Sequence, residues 1–422
     1  MGKLKALSLP AALTCAAALL AGCAGGGPLK IPAVSAAALK SPGGVRDRAA
    51  AGVAGGANDF AFRLSAGLVK SADKNDNFVC SPYSVWMPLA ALANAADAKY
   101  KDTLLGALGA GGFSAADVND AASRMLYDII NVHGSPLRIV NAVFVDKDVT
   151  LRKDFAQTYM DYYRGSAMNV DFDSKDAVDA VNRWASRQTN GLVENAVEKF
   201  DPYTAAIVNA VYFYDGWKDE FHTDDTREDV FHAPDGDENA YFMLRKGDGQ
   251  TYYEDDRVQA VPLTFKSGGG LYIILPKSGG ATDLLSAMTS EYFNRIQAGS
   301  VKKDGTLLLP RFTFKSNVRG LKEALSALGV PLFDISSRPL TGLIEEDTPM
   351  LVSDVTQRAV IKVDEKGATA AAMTIIQNGP GAPPPPKEDF IMICNRPFVF
   401  VLYMHTTDGG NQILFTGVVN RP

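Results

Sequence analysis

The sequence predicts an α+β fold that follows an export signal and a tether. Two observations favour this fold class: helical periodicity dominates the early part of the chain, and apolar strand-like segments dominate the late part. Helices and strands do not alternate regularly, which argues against a repeating βαβ fold. The 422 residues, of which 46% are hydrophobic and 21% are charged, suit one large or two medium globular domains.

The N-terminus has the pattern of an export signal. Lys3 and Lys5 precede a largely apolar run, Ala6–Leu20, which is too short for a comfortable membrane span. The run ends in the letters LAGC at Cys23, which resemble a bacterial lipobox, the motif whose cysteine is lipidated. A plain signal peptide with an incidental cysteine is the alternative.

The lipobox predicts a signal peptide at residues 1–22 and a lipid on Cys23 that anchors the protein to a membrane. We therefore expect an exported protein in the cell envelope, facing the periplasm or the extracellular space. Residues 23–57 are rich in Gly, Ala, Pro and Ser and contain no aromatic residue, which predicts a flexible tether. The folded domain is predicted to span residues 58–422 and to open with a helix that carries Phe60 and Phe62.

Hydrophobic periodicity predicts the elements that follow. Short, almost continuous apolar runs indicate buried strands, and apolar residues three or four positions apart indicate helices. The predicted helices are Ala177–Leu192, with Trp184 on its apolar face, and Leu321–Leu328. The predicted strands are Ile139–Val145, Ala205–Phe213, Leu271–Leu275, Leu307–Phe314, Val355–Val363, Phe398–Met404 and Gln412–Val419, the last two joined by a turn at Thr407–Gly410.

Charge and motifs argue against several function classes. The net charge of −6 argues against a nucleic-acid partner, which would need a basic face. The sequence has no HExxH, C-x-x-C or G-x-S-x-G motif, so it supports neither a zinc site nor an α/β-hydrolase. We expect no cofactor, no metal and no enzymatic activity. Cys80 and Cys394 lie in apolar, strand-like contexts, which favours buried hydrophobic roles over a disulfide.

One segment has an unusual composition for a surface loop. Ala368–Gly381 carries no charge over fourteen residues, and four prolines follow shortly after it. A loop that becomes a central strand in a second state would need this composition, with Gly367 giving the backbone freedom for the reversal. The alternate side chains that would face one side are all small, apolar or neutral: Ala368, Ala370, Ala372, Thr374, Ile376 and Asn378. An Ala-rich helix followed by a linker is the alternative.

Six short motifs follow one another in order over nearly all of residues 58–422. They are Asn77–Val85, Asn182–Trp184 with Thr189–Leu192, Asn209–Phe213 with Trp217, Leu309–Phe312, Asn395–Phe400 and Ile413–Gly417. Each motif alone is weak, but the ordered set resembles the serpin family.

The resemblance implies a serpin fold with three β-sheets, eight or nine helices and an exposed reactive-centre loop. It also implies an inhibitor of serine-type endopeptidases that is not itself an enzyme. A target protease attacks the loop and forms an acyl-enzyme, after which the freed loop inserts into the main sheet and traps the protease. A monomer is expected.

The same resemblance implies roles for individual residues. The hinge shared by inhibitory members matches Glu365, Gly367, Ala368, Ala370, Ala371 and Ala372, with Ala368 standing where Thr or Ser is usual. The sheet-opening region matches Ser81, Ser84, Asn209, Trp217 and Gln357, the last in place of a common histidine. Counting seventeen residues from Glu365 puts the reactive bond at Gly381–Ala382, give or take two.

The residues at this bond bear on the partner. Small residues favour elastase-like or subtilisin-like serine proteases as targets, and a papain-like cysteine protease is a further candidate. Glycine is an unusual bait, and Pro380 and Pro383 flank the bond, which favours a second hypothesis, a non-inhibitory serpin that acts as a binding or scaffold protein. A third hypothesis, a solute-binding lipoprotein, would share the tether but lack the hinge and the six motifs.

Overall fold

A computed structural model describes residues 48–422 except 133–137, 189–190, 192–196, 201–203, 214, 369–388 and 408. The α-helices of these residues are α1 (Arg48–Ser71), α2 (Pro82–Leu92), α3 (Ala98–Ala107), α4 (Ala115–Tyr127), α5 (Lys153–Tyr163), α6 (Lys175–Gln188), α7 (Ala281–Ser286), α8 (Ser290–Gly299) and α9 (Leu321–Ala327). The strands are β1 (Phe78–Cys80), β2 (Arg138–Asp146), β3 (Ser166–Val170), β4 (Thr204–Tyr212), β5 (Asp215–Gly216), β6 (Arg227–Ala233), β7 (Gly236–Glu254), β8 (Val258–Thr264), β9 (Gly270–Pro276), β10 (Val301–Pro310), β11 (Phe312–Val318), β12 (Leu351–Val363), β13 (Gly367–Ala368), β14 (Phe390–Ile393), β15 (Phe398–His405) and β16 (Asn411–Val419).

These strands form three sheets. A five-stranded sheet has the order β11-β12-β4-β2-β3, and a two-stranded sheet pairs β13 with β5. A nine-stranded sheet has the order β1-β16-β15-β9-β8-β7-β10-β14, with β6 paired to β7. The prediction of an α+β fold with three sheets is confirmed, and the described residues contain nine α-helices.

The five-stranded sheet is covered on both faces, as the alternation along β2 shows. Phe144 is buried in a cluster with Trp184 of α6, whereas Val143 and Val145 belong to the main core on the other face. The Trp184 and Phe144 rings meet edge to face, with centroids 5.9 Å apart. Helix α2 is buried along its whole length because it lies between this sheet and β16 of the nine-stranded sheet.

The predicted start of the folded domain is wrong by about ten residues. Residue 58 was predicted as the first folded residue, but α1 begins at Arg48, and Val53 and Ala57 are buried. The small residues that suggested a tether allow close packing instead. A Cβ on Gly56 would lie 1.9 Å from the carbonyl oxygen of Gly109, so the backbones touch where no side chain fits.

One predicted strand is also wrong. The segment Leu307–Phe314 forms two strands in different sheets, since β10 ends at Pro310 and β11 begins at Phe312. Arg311 between them is exposed, and its side chain turns toward Glu365. The apolar pattern continues through this break because strands of both sheets contribute to the same core.

The packing of α1 leads to a test with two neighbouring glycines. Gly56→Ala should lower the midpoint of thermal unfolding, with a cost of about 1–3 kcal/mol, because the new methyl group collides with Gly109. Gly55→Ala should be neutral or stabilising by up to about 1 kcal/mol, because Gly55 is exposed, helical and open. Equal effects of the two substitutions would contradict this packing.

Candidate functional site

The five-stranded sheet is open at one end between two parallel strands. β12 pairs in parallel with β4 from Leu351 to Ala359, whereas its pairing with β11 continues to Val363. Within the described residues, the last four residues of β12 therefore have ladder partners only on β11. A gap remains at this end, lined by Phe213, Val360, Ile361, Lys362, Leu402 and Phe415.

The chain reverses direction immediately after β12, and the backbone of the segment after β5 holds this turn. The carbonyl oxygens of Glu365 and Lys366 accept hydrogen bonds from the amides of Phe221 and Trp217, at 2.9 and 2.8 Å. The indole Nε1 of Trp217 donates to the Asp364 carbonyl oxygen at 2.8 Å. After the turn, β13 forms a two-residue antiparallel ladder with β5.

Gly367 is required here by close approach. A Cβ at this position would lie 2.2 Å from the carbonyl oxygen of Asp215, so any other residue would push β13 away from β5. Sequence analysis assigned Gly367 to backbone freedom; its φ is +158°, and the close approach adds a steric requirement. Asp215 is itself buried, and burial raises the pKa of its carboxyl against the opposing hydrogen bonds from Ser267.

The Glu365 side chain fixes the turn to two distant parts of the chain, the residue before β6 and the residue between β10 and β11. It is only 4% exposed, and its Oε1 accepts from the Thr226 hydroxyl at 2.6 Å and from Arg311 Nε at 2.7 Å. Burial alone would raise the pKa of this carboxyl, but the hydrogen bonds from Arg311 and Thr226 outweigh burial and lower that pKa. Sequence analysis placed Arg311 in a motif but predicted no contact of Arg311 or Thr226 with Glu365, because that contact exists only in the folded chain.

An aromatic stack lies beneath the turn. Trp217 is fully buried and stacks on Phe265, with ring centroids 4.9 Å apart and planes 10° apart. Phe213 packs against the same ring at 5.0 Å. Because Phe213 also lines the gap beside β12, this stack connects the turn to the open end of the sheet.

A second group, the buried amide cluster, joins α2 to the sheet. The Gln357 amide oxygen accepts from the Ser81 backbone amide at 2.9 Å, and its nitrogen donates to the Ser81 carbonyl at 2.7 Å and the Ser84 hydroxyl at 2.8 Å. The Ser84 hydroxyl donates to Asn209 at 2.6 Å. Asn209 in turn donates to the Ser84 carbonyl at 2.7 Å and to Asn141 at 2.5 Å.

The predicted site residues therefore form two groups. Glu365, Gly367 and the Ala368 backbone lie at the turn with Trp217, which sequence reasoning had grouped with the sheet-opening residues. The amide cluster contains the other four predicted sheet-opening residues, Ser81, Ser84, Asn209 and Gln357, together with Asn141, which the prediction missed. No local pattern marks Asn141; only the register of the assembled sheet, which places it opposite Asn209 on the neighbouring strand, brings it into the cluster. Cys23, Ala370, Ala371, Ala372, Gly381 and Ala382 lie outside the described residues.

In the part of the chain that the structure describes, no group of three or more His, Cys, Asp or Glu side chains could hold a metal ion, and no helix is long and apolar enough to cross a membrane. Cys80 and Cys394 are buried and free, as the sequence predicts. Burial raises the pKa of the Cys80 thiol to about 11, so this thiol is inert.

The Glu365 contacts predict an acid-sensitive contribution to stability. The pKa of this carboxyl is lower in the folded chain than its unfolded value of about 4.3. The contribution is therefore fully present above that value and is lost as the pH falls through the lower folded pKa. Glu365→Gln should cost about 1–2 kcal/mol at pH 7, read as a lower unfolding midpoint, and the difference from wild type should shrink below about pH 4.

Glu220→Gln is the matched control. Glu220 pairs with Lys266 at 2.7 Å, but both side chains are about half exposed, so the change should cost well under ~1 kcal/mol. A Glu365→Gln variant with the wild-type midpoint at every pH would contradict the assignment.

Comparisons with known proteins agree with this geometry. The sequence profile described as Serpin (serine protease inhibitor) matches residues 55–422. An uncharacterized serpin-like protein of Thermococcus kodakarensis is 30% identical over 375 residues, covering 86% of this chain and 84% of its own. Serpin-Z1B of Triticum aestivum is 29% identical over 385 residues, covering 86% and 94%.

A solved structure agrees as well. The thermophilic serpin tengpin in its native state matches with a TM-score of 0.78 and 25% identity, covering 87% of this chain and 94% of its own. The profile match covers most of the chain, and the described fold agrees with it. The chain therefore belongs to the serpin family, whose fold and membership support a non-catalytic function of the protease-inhibitor type.

Proposed function

We propose that this protein inhibits serine-type endopeptidases by a suicide-substrate mechanism in which its cleaved loop inserts into the five-stranded sheet. The observation that carries the proposal is the parallel pairing of β12 with β4 next to a chain reversal at the end of β12. A strand that returns from the end of β12 runs antiparallel to β12. Because β4 is parallel to β12, the same strand is antiparallel to β4 as well.

Insertion of the cleaved loop lowers the free energy of the sheet because of the hydrogen bonds that it adds. One parallel ladder is replaced by two antiparallel ladders, which adds hydrogen bonds and is slightly more stable per residue. The gap lined by Phe213 and Ile361 offers an entry point at the hinge end. The alternate small residues that begin at Ala368 would enter this gap first at little steric cost.

The covalent step proceeds as follows. The protease serine Oγ bonds to the carbonyl carbon of Gly381, the bond to Ala382 nitrogen breaks, and the serine proton passes through the protease's own base to that nitrogen. The serpin supplies no catalytic group. Insertion then carries the ester-linked protease away from Ala382, which separates the acyl group from its leaving amine.

The amide cluster sets the resistance to opening. Separation of β12 from β4 moves Gln357 relative to Asn209, and both are hydrogen-bonded to Ser84. A neutral amide makes these contacts where the family resemblance implies a histidine. The cluster therefore holds no group that titrates near neutral pH, and we expect its resistance to opening to vary little there.

Alanine-to-arginine substitutions at neighbouring positions test insertion. Ala370→Arg would bury a charge in the sheet, so subtilisin and pancreatic elastase should cut the loop without forming an adduct that survives SDS. Ala371→Arg would place the arginine on the opposite face of the inserted strand, so this variant should form more adduct than Ala370→Arg. Wild-type protein should form the adduct and show a raised melting temperature after cleavage.

Other outcomes assign other functions. A wild-type loop that is cut with neither adduct nor rise in melting temperature would overturn the inhibitory proposal. That result would favour a binding or scaffold role, for which the unusual glycine at the predicted bond is the supporting observation. An adduct with a papain-like protease but with neither serine protease would move the target class to cysteine proteases.

We also propose that a lipid on Cys23 anchors the protein to a membrane of the cell envelope, on the strength of the LAGC letters. Cys23→Ser should abolish incorporation of labelled palmitate and shift the protein from the membrane to the soluble fraction. Cys15→Ser, which changes a cysteine inside the predicted signal, is the control and should alter neither. Wild-type protein that incorporates no labelled palmitate would contradict the lipid anchor.

A further inference from the structure

Strand β14 exposes apolar side chains on an otherwise well-packed sheet edge. Ile391 and Ile393 are 56% and 41% exposed. The described residues contain six exposed large hydrophobic side chains, and two of them lie on this four-residue strand. The solvent side of an edge strand normally carries polar or charged residues, because an apolar edge invites association.

The strand itself is firmly held. Phe390 stacks on Tyr252 with ring centroids 4.1 Å apart, and a Cβ on Gly305 would lie 2.3 Å from the Phe390 ring. Met392 is fully buried, and the Gln259 side chain donates to the Ile391 carbonyl oxygen at 3.2 Å. The buried half of β14 is thus fixed by packing, and its other half presents two rigid apolar side chains to solvent.

The apolar face extends inward from the edge. Ile393 is opposite Leu308 of β10, and Leu308 is opposite Leu244 of β7, so the three share one face; both leucines are partly exposed. One step along, Ile391 is opposite Thr306. We call Ile391, Ile393, Leu308 and Leu244 the β14 face.

We propose that the target protease docks an apolar part of its surface on the β14 face while its cleft holds the reactive loop. This proposal rests on the proposed inhibitory function and deepens it, by assigning an encounter surface outside the loop. Chain connectivity supplies the occupant. Residues 369–389 join β13 to β14, so the predicted bond lies close to β14 in sequence.

Distances support the same occupant. Ile391 follows Ala382 by nine residues, which span about 30 Å at most. A protease domain of about 230 residues has a radius of gyration of roughly 17 Å, which corresponds to a sphere about 45 Å across. A protease seated on the bond is therefore large enough to reach the β14 face. Exposed apolar patches of this kind commonly mark protein interaction sites.

The proposed docking acts at one stage only. Cleavage at Gly381–Ala382 leaves the later residues attached to β14, while the acylated end departs with the inserting segment. The β14 face therefore contributes to the first encounter and to acylation, and not to the trapped complex. Its loss should slow inhibition without changing the number of inhibitor molecules consumed per protease.

The test uses paired threonine substitutions, which remove apolar surface but keep the β-propensity of the strand. The double variant Ile391→Thr/Ile393→Thr should lower the second-order rate constant for subtilisin or pancreatic elastase about tenfold, through weaker encounter rather than a slower limiting rate. Ile391→Val/Ile393→Val should keep nearly the wild-type rate. Val301→Thr, at a 53% exposed position near the start of β10, is the matched control and should change nothing.

Each other outcome has a defined meaning. Equal rate constants for wild type and the threonine variant, with equal melting temperatures, would overturn the docking surface. Light scattering that shows a wild-type dimer and a monomeric threonine variant, with unchanged rates, would overturn it in favour of a second copy of the chain.

The two proposals fail separately. Cleavage without adduct in every variant would overturn the inhibitory proposal. The docking surface would still be tested, by comparing kcat/KM for loop cleavage between wild type and the threonine variant. A wild-type loop that resists both proteases would overturn both proposals for this protease class.

Discussion

Two parallel strands, β12 and β4, share a single hydrogen-bond ladder in the middle of the five-stranded sheet, and the Gln357 amide ties that ladder to α2. A parallel pair joined at one end to a chain reversal is the arrangement into which a returning strand fits with antiparallel ladders on both sides. The hinge, the gap beside Phe213 and the buried amide cluster all adjoin this pair. Each of the three bears on the proposed insertion because it lies next to these two strands.

The two ends of the segment that contains the proposed reactive bond are held very differently. At the first end, β13 makes a two-residue ladder with β5, and its turn depends on backbone bonds and on the Glu365 carboxylate. At the second end, β14 makes a four-residue ladder with β10, and Phe390 is locked between Tyr252 and Gly305. A cut between the two ends would free the weakly held end and leave the other in place. This asymmetry supports both the insertion proposal and the assignment of the β14 face to the encounter with the protease.

In the proposed mechanism, buried polar contacts determine how strongly β12 and β4 resist separation. The Gln357 side chain accepts a hydrogen bond from the Ser81 amide and donates one to the Ser84 hydroxyl. Unlike the carboxylates at the turn, this amide carries no charge. Glu365 and Asp215 lie on either side of the same turn, and their pKa values are shifted in opposite directions. Acid therefore has opposite effects through the two carboxyl groups of this turn. Protonation of Glu365 weakens its hydrogen bonds, whereas protonation of Asp215 relieves the cost of burying its charge.

The amino-acid sequence by itself determined the fold class, most strands of the core, the motif order of the family and the small, uncharged character of the segment that follows Gly367. These features are local, because periodicity and composition depend only on residues that are close together in the sequence. Tertiary structure decided the contacts between distant positions: Glu365 with Arg311 and Thr226, Gly56 against Gly109, and Asn141 in the amide cluster. Residues far apart in sequence meet only when the sheets assemble, so no local pattern predicts them. The β14 face belongs to the same class, because exposure of Ile391 is a property of the assembled sheet and not of the letters FIMI.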